Sequence, residues 1–329
     1  MQKVFQAGRR SAIAAAALTA MVTWVSGTAF ASDAWPQKTI KVLVPYTAGG
    51  PVDSLTRILM ENVAKSLGQS IIIENRPGAN TQVATAQLAR SAPDGYHFGI
   101  VPAAYTTNQV LAKKLPYKPD DFVAVSHMVN IPLFLFTPAS NSAKNVKELM
   151  EWARKEKPSY ASTGPGSTGH LLGAMFAIHG KFDATHVGYN GSAQAMPDLM
   201  GGLVSYMFDP ATGGMPHVKA GKLKVLAVSQ PQRCACAPDV PTMAESGFPE
   251  MVQGSWLGVM APKGTPQAVV QRMSDEVAKA LQNPELKQRL ETMGFGGVGS
   301  KPAAFQALID SDIKAYEAIA RKANISLEN

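Results

Sequence analysis

From about residue 40 onward, short β-branched runs alternate with longer amphipathic stretches, and this alternation restricts the chain more than any other feature. Residues 40–45 read as a buried strand. Residues 52–67 read as a helix carrying Leu55, Ile58, Leu59, Val63 and Leu67 on one face. Gly68 stops that helix, residues 71–73 form the next strand, 82–91 the next helix and 96–101 a third strand. A long β-favouring stretch follows over 122–136, broken at Pro132. Helices are then expected over 145–156, 168–179 and 193–200, interleaved with strands over 159–162, 186–189, 204–208 and 224–228. Residues 234–249 are irregular and proline-rich, 255–260 form a strand, and three helices close the chain over 266–282, 284–293 and 302–323. In the last helix Phe305, Leu308, Ile309, Ile313, Tyr316 and Ile319 make one continuous stripe, which reads as core packing. Strand–helix–strand spacing of this kind predicts parallel sheets joined by right-handed crossovers.

A chain of this length exceeds what one hydrophobic core usually serves, so two lobes are expected. No Gly/Ser tether separates them, and the β-rich stretches near 123–136 and 255–260 are the natural crossings. The first lobe then comprises residues 32–131 and 257–329, the second 132–256.

The first 31 residues have the make-up of an export leader. Lys3, Arg9 and Arg10 give a basic start, residues 11–25 are apolar and alanine-rich, and Ala29-Phe30-Ala31 supplies a small-x-small cleavage pattern. Cleavage is expected before Ser32, placing the mature protein in the periplasm. The segment removes three basic residues and no acidic one from the 31 Lys/Arg and 24 Asp/Glu of the whole chain, leaving an excess of about four positive charges. That excess is spread along the sequence, with no basic run suited to nucleic acid, and it favours anionic solutes weakly. Cys234 and Cys236 are a C-x-C pair that an oxidising compartment could close into a tight disulfide. The six histidines show neither metal-ligand spacing nor a carboxylate cluster, so no metal or other cofactor is expected.

The loops after the strands carry the chemistry. Residues 45–53, Pro-Tyr-Thr-Ala-Gly-Gly-Pro-Val-Asp, lie between a strand and a helix N-terminus, where unpaired N–H groups and the helix dipole attract anions. Gly49 and Gly50 permit close backbone approach, and Asp53 or Ser54 can cap the helix. The motif matches neither nucleotide-binding glycine fingerprint. Residues 162–170 repeat the arrangement with Gly166, Ser167, Thr168 and Gly169. Tyr189, Gly191 and Ser192 do so after the following strand, and Phe208-Asp209 end another. All occupy the carboxyl ends of strands, where open α/β sheets bind ligands, one loop in the first lobe and three in the second. Ser167, His170 and Asp209 are the residue types of a hydrolytic triad. No G-x-S-x-G elbow surrounds the serine, so an enzyme is not expected.

Taken in order, these segments resemble the Bug family of periplasmic receptors, the solute-binding components of tripartite tricarboxylate transporters. The likeness rests on Trp35-Pro36, residues 45–53, Glu74-Asn75-Arg76-Pro77-Gly78-Ala79 and Ala92-Pro93-Asp94-Gly95-Tyr96. It continues through Leu115-Pro116-Tyr117, residues 160–164, residues 186–192, Met207-Phe208-Asp209, residues 220–223 and Asp239-Val240-Pro241-Thr242. The resemblance implies a type II periplasmic-binding fold, two doubly wound α/β lobes closing on a ligand cleft. It implies that one ligand carboxylate is held by backbone N–H groups and waters at Thr47 to Gly50 and Ser167 to Gly169, with Gly191, Ser192 and Asp209 at further cleft positions. It implies no cofactor, a small organic acid as ligand (dicarboxylate, tricarboxylate, acidic amino acid or aromatic acid), a monomer, and a two-subunit membrane permease as partner, or in some members a sensor kinase. The full candidate set is Tyr46, Thr47, Ala48, Gly49, Gly50, Asp53, Ala104, Tyr105, Gly166, Ser167, Thr168, Gly169, Tyr189, Gly191, Ser192, Phe208 and Asp209. Residues 102–108 depart from the family by their bulk, and Tyr105 is expected to contact the far end of the ligand.

Overall fold

Central strands flanked by helices on both faces need apolar side chains in both directions, and the strand runs of this sequence supply them. The computed structural model describes residues 35–323, so the expected leader lies outside the described residues. From Lys38 onward the described residues form one compact unit. Its first sheet comprises β1 (Ile40–Val44), β2 (Ile71–Asn75), β3 (His97–Pro102), β4 (Phe122–Ile131), β10 (Ser255–Pro262) and β11 (Gly296–Gly297), in the order β11-β4-β10-β3-β1-β2. The second contains β5 (Leu133–Pro138), β6 (Ser159–Ser162), β7 (Thr185–Gly188), β8 (Tyr206–Pro210) and β9 (Leu223–Ser229), in the order β7-β6-β8-β5-β9.

The sheets are mixed, where the alternation alone predicts parallel ones. β1 pairs in parallel with β2 and β3, and β6 with β7 and β8, as βαβ units require. β10, however, runs antiparallel between β3 and β4, and β5 runs antiparallel between β8 and β9. The cause is the connection. The chain passes from β4 through Pro132 straight into β5 with no crossover helix, and it returns from the second sheet to the first through residues 230–254.

The helices are α1 (Pro51–Leu67), α2 (Gln82–Ala89), α3 (Ala104–Leu111), α4 (Val146–Lys155), α5 (Thr168–Gly180), α6 (Ser192–Gly201), α7 (Ala211–Lys219), α8 (Gln267–Ala280), α9 (Pro284–Met293) and α10 (Pro302–Ala323). Gly68 ends α1 in the left-handed region at φ 67°, as a glycine C-cap does. The β3–α3 region departs from expectation. Residues 102–108 are expected, by the family resemblance, to be the loop after the third strand, and Tyr, Thr and Asn are weak helix formers. α3 nevertheless forms, with Thr106 Oγ1 donating to the Ala103 carbonyl at 2.7 Å and Tyr105, Thr106, Thr107 and Asn108 all buried.

Among the described residues, three apolar clusters bear on the site. Leu43, Leu88, Val101, Tyr105, Trp256 and Phe305 pack on the first sheet. On the second, strand alternation sends Phe134 and Phe136 to one face with Met196 and Leu199, and Leu133 and Leu135 to the other with Phe176 and Tyr206. Gly258 in β10 has a packing role, since a Cβ there would lie 2.1 Å from the Phe305 ring. Helix α10 joins two of these clusters. Its first half gives Phe305 and Ile309 to the first sheet's core, and its second half gives Tyr316, Ile319 and Ala320 to the second's. Midway, Asp312 accepts a 2.6 Å hydrogen bond from the Trp256 indole N–H of β10. Cys234 and Cys236 are joined by a disulfide in the return segment.

Candidate functional site

A cavity of about 830 Å³ is lined by loops and helix ends from both sheets. Residues after β1 (Tyr46, Thr47, Gly50), after β6 (Thr163, Ser167, Thr168, Gly169), after β7 (Asn190, Gly191, Ser192) and at the end of β8 (Phe208, Asp209) meet there. Side-chain capping is sparse around it. α1 begins at Gly50, α6 at Gly191 and α7 at Pro210, and no side chain caps any of the three. At α5, Ser167 Oγ accepts the His170 N–H at 3.2 Å. Helix N-termini left without side-chain partners beside one cavity make it positive in potential without a basic side chain.

The first loop is held from behind. The Gly49 N–H donates to Asp53 Oδ2 at 2.8 Å, Arg57 Nε to the same oxygen at 2.9 Å, and Asn75 Nδ2 to Asp53 Oδ1 at 2.8 Å. Burial alone would raise the Asp53 carboxyl, but these hydrogen bonds and the Arg57 charge outweigh it and hold it at about 2. Asp53 therefore fixes the loop; it neither lines the cavity nor caps α1. Gly49 stands at φ 82°, a conformation that favours glycine, whereas Gly50 is at φ −72° and tolerates a side chain sterically. Burial pushes the Tyr46 phenol up to about 12, so it faces the cavity as a neutral hydroxyl.

The second loop is tied to two stacked imidazoles and to α3. His170 Nδ1 accepts the Gly166 N–H at 3.1 Å, so that nitrogen carries no proton. The His170 ring lies 3.8 Å, centroid to centroid, from His186, whose Nε2 is 2.7 Å from Ser162 Oγ. Burial pushes both imidazoles down to about 4, with His186 adding to the effect on His170. The Gly166 carbonyl accepts a 2.6 Å hydrogen bond from Thr107 Oγ1, which connects this loop to α3 below the first sheet's strands. Gly169 has to be glycine, because a Cβ would sit 2.6 Å from the Phe208 carbonyl oxygen.

At the end of β8, Asp209 is fully buried. Its Oδ1 accepts from Ser192 Oγ at 2.6 Å, while Oδ2 has no hydrogen-bond partner among the described residues. Burial raises the carboxyl to about 7, against a smaller lowering by Ser192.

Of the candidate residues, Tyr46, Thr47, Gly50, Ala104, Ser167, Thr168, Gly169, Gly191, Ser192, Phe208 and Asp209 line the cavity. Ala48 and Gly49 form the exposed tip of the first loop, and Gly166 acts through its backbone bonds just described. Tyr189 turns its hydroxyl to Asp198 at 2.7 Å. Tyr105 does not reach the cavity. As the second residue of α3 it turns inward, stacked on Tyr117 at 6.0 Å and edge-on to Phe122 at 5.8 Å. The hydrolytic residue types do not assemble either: the His170 ring bonds Gly166, not Ser167, and Asp209 bonds Ser192.

The residue reading missed Asn80, which lines the cavity from within a run of three left-handed residues, Ala79, Asn80 and Thr81. The run is held by a reciprocal amide pair, Asn80 Nδ2 to Asn108 Oδ1 at 2.9 Å and Asn108 Nδ2 to the Asn80 carbonyl at 2.8 Å. Asn next to Gly78-Ala79 was the available signal, since Asn tolerates this conformation. Also missed was the cavity face of α6, with Met196 and Met200, because these methionines read as ordinary core.

The family model of the tripartite tricarboxylate transporter family receptor matches residues 55–325. The protein BugT of Bordetella pertussis is 30% identical over 302 residues, 90% of this chain and 93% of its own length. The structure of the periplasmic binding protein BugD superposes with a TM-score of 0.78 at 32% identity, covering 89% of this chain and all of that one. The R. palustris protein Rpa4515, solved with adipate, gives 0.81 at 31% identity over 89% of this chain and 99% of its own.

Proposed function

The chain belongs to the tripartite tricarboxylate transporter receptor family, and from that premise we propose that it captures a small organic carboxylate in the cavity between its two sheets. One observation carries the reading: helix N-termini without side-chain caps, at Gly50, Gly191 and Pro210, line a single cavity that also holds Ser167 and Thr168. A carboxylate there receives backbone N–H groups and sits on favourable dipole ends. The residues we assign to the carboxylate are Thr47 to Gly50 on one side and Ser167 to Gly169 on the other, with Tyr46 as a neutral donor.

The two sheets with their helices act as two lobes, residues 32–131 with 257–329 and residues 132–256. Ligand held by both lobes favours the closed arrangement, a population shift driven by the better contacts there. Family members are periplasmic binding proteins, and among the described residues no helix is long and apolar enough to cross a membrane. Export by a leader cleaved before Ser32, action as a monomer, and delivery of an unchanged acid to a two-subunit permease complete the reading. We favour delivery over coupling to a sensor kinase, and we favour binding over hydrolysis because the His170 ring bonds Gly166 and not Ser167, while Asp209 bonds Ser192.

A thermal-shift screen of carboxylates, followed by small-angle scattering with the best hit, tests this. Stabilisation by acids but not by matched amides, with a smaller radius of gyration on binding, is expected. Absence of any carboxylate response would refute the reading.

A further inference from the structure

The anion-binding loops occupy only part of the cavity. Helix α6 presents one face to the remainder, with Ala193, Met196, Pro197 and Met200 recurring at helical spacing. From the side of the first sheet, Leu257 and Phe295 line the same space. Ala193 and Pro197 are exposed there, apolar surface that a ligand would cover. No lysine or arginine lines the cavity among the described residues, and the carboxylate among its lining residues is Asp209. Asp209 accepts a hydrogen bond from Ser192 and is fully buried, so the buried ionisable side chain of this cavity is an acid and not a cation.

We propose that the ligand is a monocarboxylate with an apolar body, alkyl or aromatic, and that Met196, Met200 and Phe295 set this preference against dicarboxylates and tricarboxylates. The proposal rests on the carboxylate-binding reading above. A second carboxylate would lose its water against thioethers and a phenyl ring with no lysine or arginine there to pair with it. Each methylene moved from water onto this wall instead strengthens binding about fourfold.

Isothermal titration of the purified chain with matched acids tests it: butanoate and succinate, hexanoate and adipate, octanoate and octanedioate, benzoate and terephthalate. Monoacid affinity is expected to climb about fourfold per methylene until the space is filled, and each monoacid to exceed its diacid by about tenfold or more. Met200→Gln should flatten the climb across butanoate, hexanoate and octanoate. Met200→Lys, which supplies the missing cation, should narrow or reverse the order of hexanoate and adipate. A diacid bound as tightly as its monoacid by the unaltered chain overturns the proposal and leaves the carboxylate reading standing. An unchanged ratio of hexanoate to adipate affinity in Met200→Lys also overturns it, by removing α6 from the ligand's far end. Failure of every acid to bind sinks both.

Discussion

Replacing His170 with asparagine isolates the linkage between protonation and the second loop. The His170 ring accepts the Gly166 N–H at Nδ1 and is stacked on His186. An imidazolium there would turn an acceptor into a donor facing a donor. Lys181, Lys322 and Asp183 line the pocket beside it. Burial holds His170 at about 4, against an ordinary value of 6.5. The native state therefore favours the neutral ring. The group contributes nothing above pH 6.5 and subtracts stability as pH falls from 6.5 through 4, because there the unfolded chain binds the proton more readily. The whole effect is about 3 kcal/mol, of which about 2 kcal/mol has been lost at pH 5.

In the wild-type profile this loss overlaps with other titrations. Asp209 is raised from 3.8 to about 7, so over the same window the native state binds a proton that the unfolded chain has released, and acidification stabilises it. His186, also held down to about 4, loses stability on acidification as His170 does, so three titrations overlap and the difference between proteins is the useful quantity. In His170→Asn the amide oxygen can take over the Gly166 N–H, and nothing titrates. Urea unfolding at about pH 8 and about pH 5 should show the cost of the substitution shrinking by about 2 kcal/mol at the lower pH. A cost that stays constant within about 0.5 kcal/mol would refute the linkage.

Tyr105→Ala should cost about 3–5 kcal/mol, as a buried aromatic does, without reordering affinities among acids; a reordered series would put Tyr105 back at the ligand. Gly169→Ala should lose about 1–3 kcal/mol and acid binding together, because its Cβ meets the Phe208 carbonyl, and full binding in calorimetry would contradict that contact. Thr107→Val keeps the volume but removes the donor to Gly166. It should cost about 1 kcal/mol in denaturant midpoint analysis and weaken acid binding several-fold, whereas an unchanged affinity would uncouple α3 from the second loop.

Much of this architecture was readable in the residues, and the failures have specific causes. Strand and helix periods located the parallel units, because Ile40–Val44 and Ser159–Ser162 carry their burial pattern in their side chains. Strand direction at β5 and β10 was not readable, since it depends on a connection that lacks a helix. The loops after β1, β6 and β7 announced themselves through glycines and hydroxyls at helix starts. Tyr105 misled because α3 is held by long-range bonds, from Thr107 to Gly166 and between Asn108 and Asn80, that outweigh weak helix propensity. Asp53 misled differently: capping chemistry and loop bracing use the same carboxylate, and its partner Asn75 is distant in sequence.

Helix α10 bears on how one sheet can move against the other. It is one rod with Phe305 and Ile309 embedded at one end, Tyr316 and Ile319 at the other, and the Trp256–Asp312 bond near its middle. Together with the passages at Pro132 and at residues 230–254, it gives the molecule a third attachment, off the line of the two strand crossings. A door on two hinges swings freely; a strut fixed to both door and frame limits it to the travel the strut allows. Wide gaping would pull Tyr316 from its socket or bend the rod, so the helix resists separation of the two sheets.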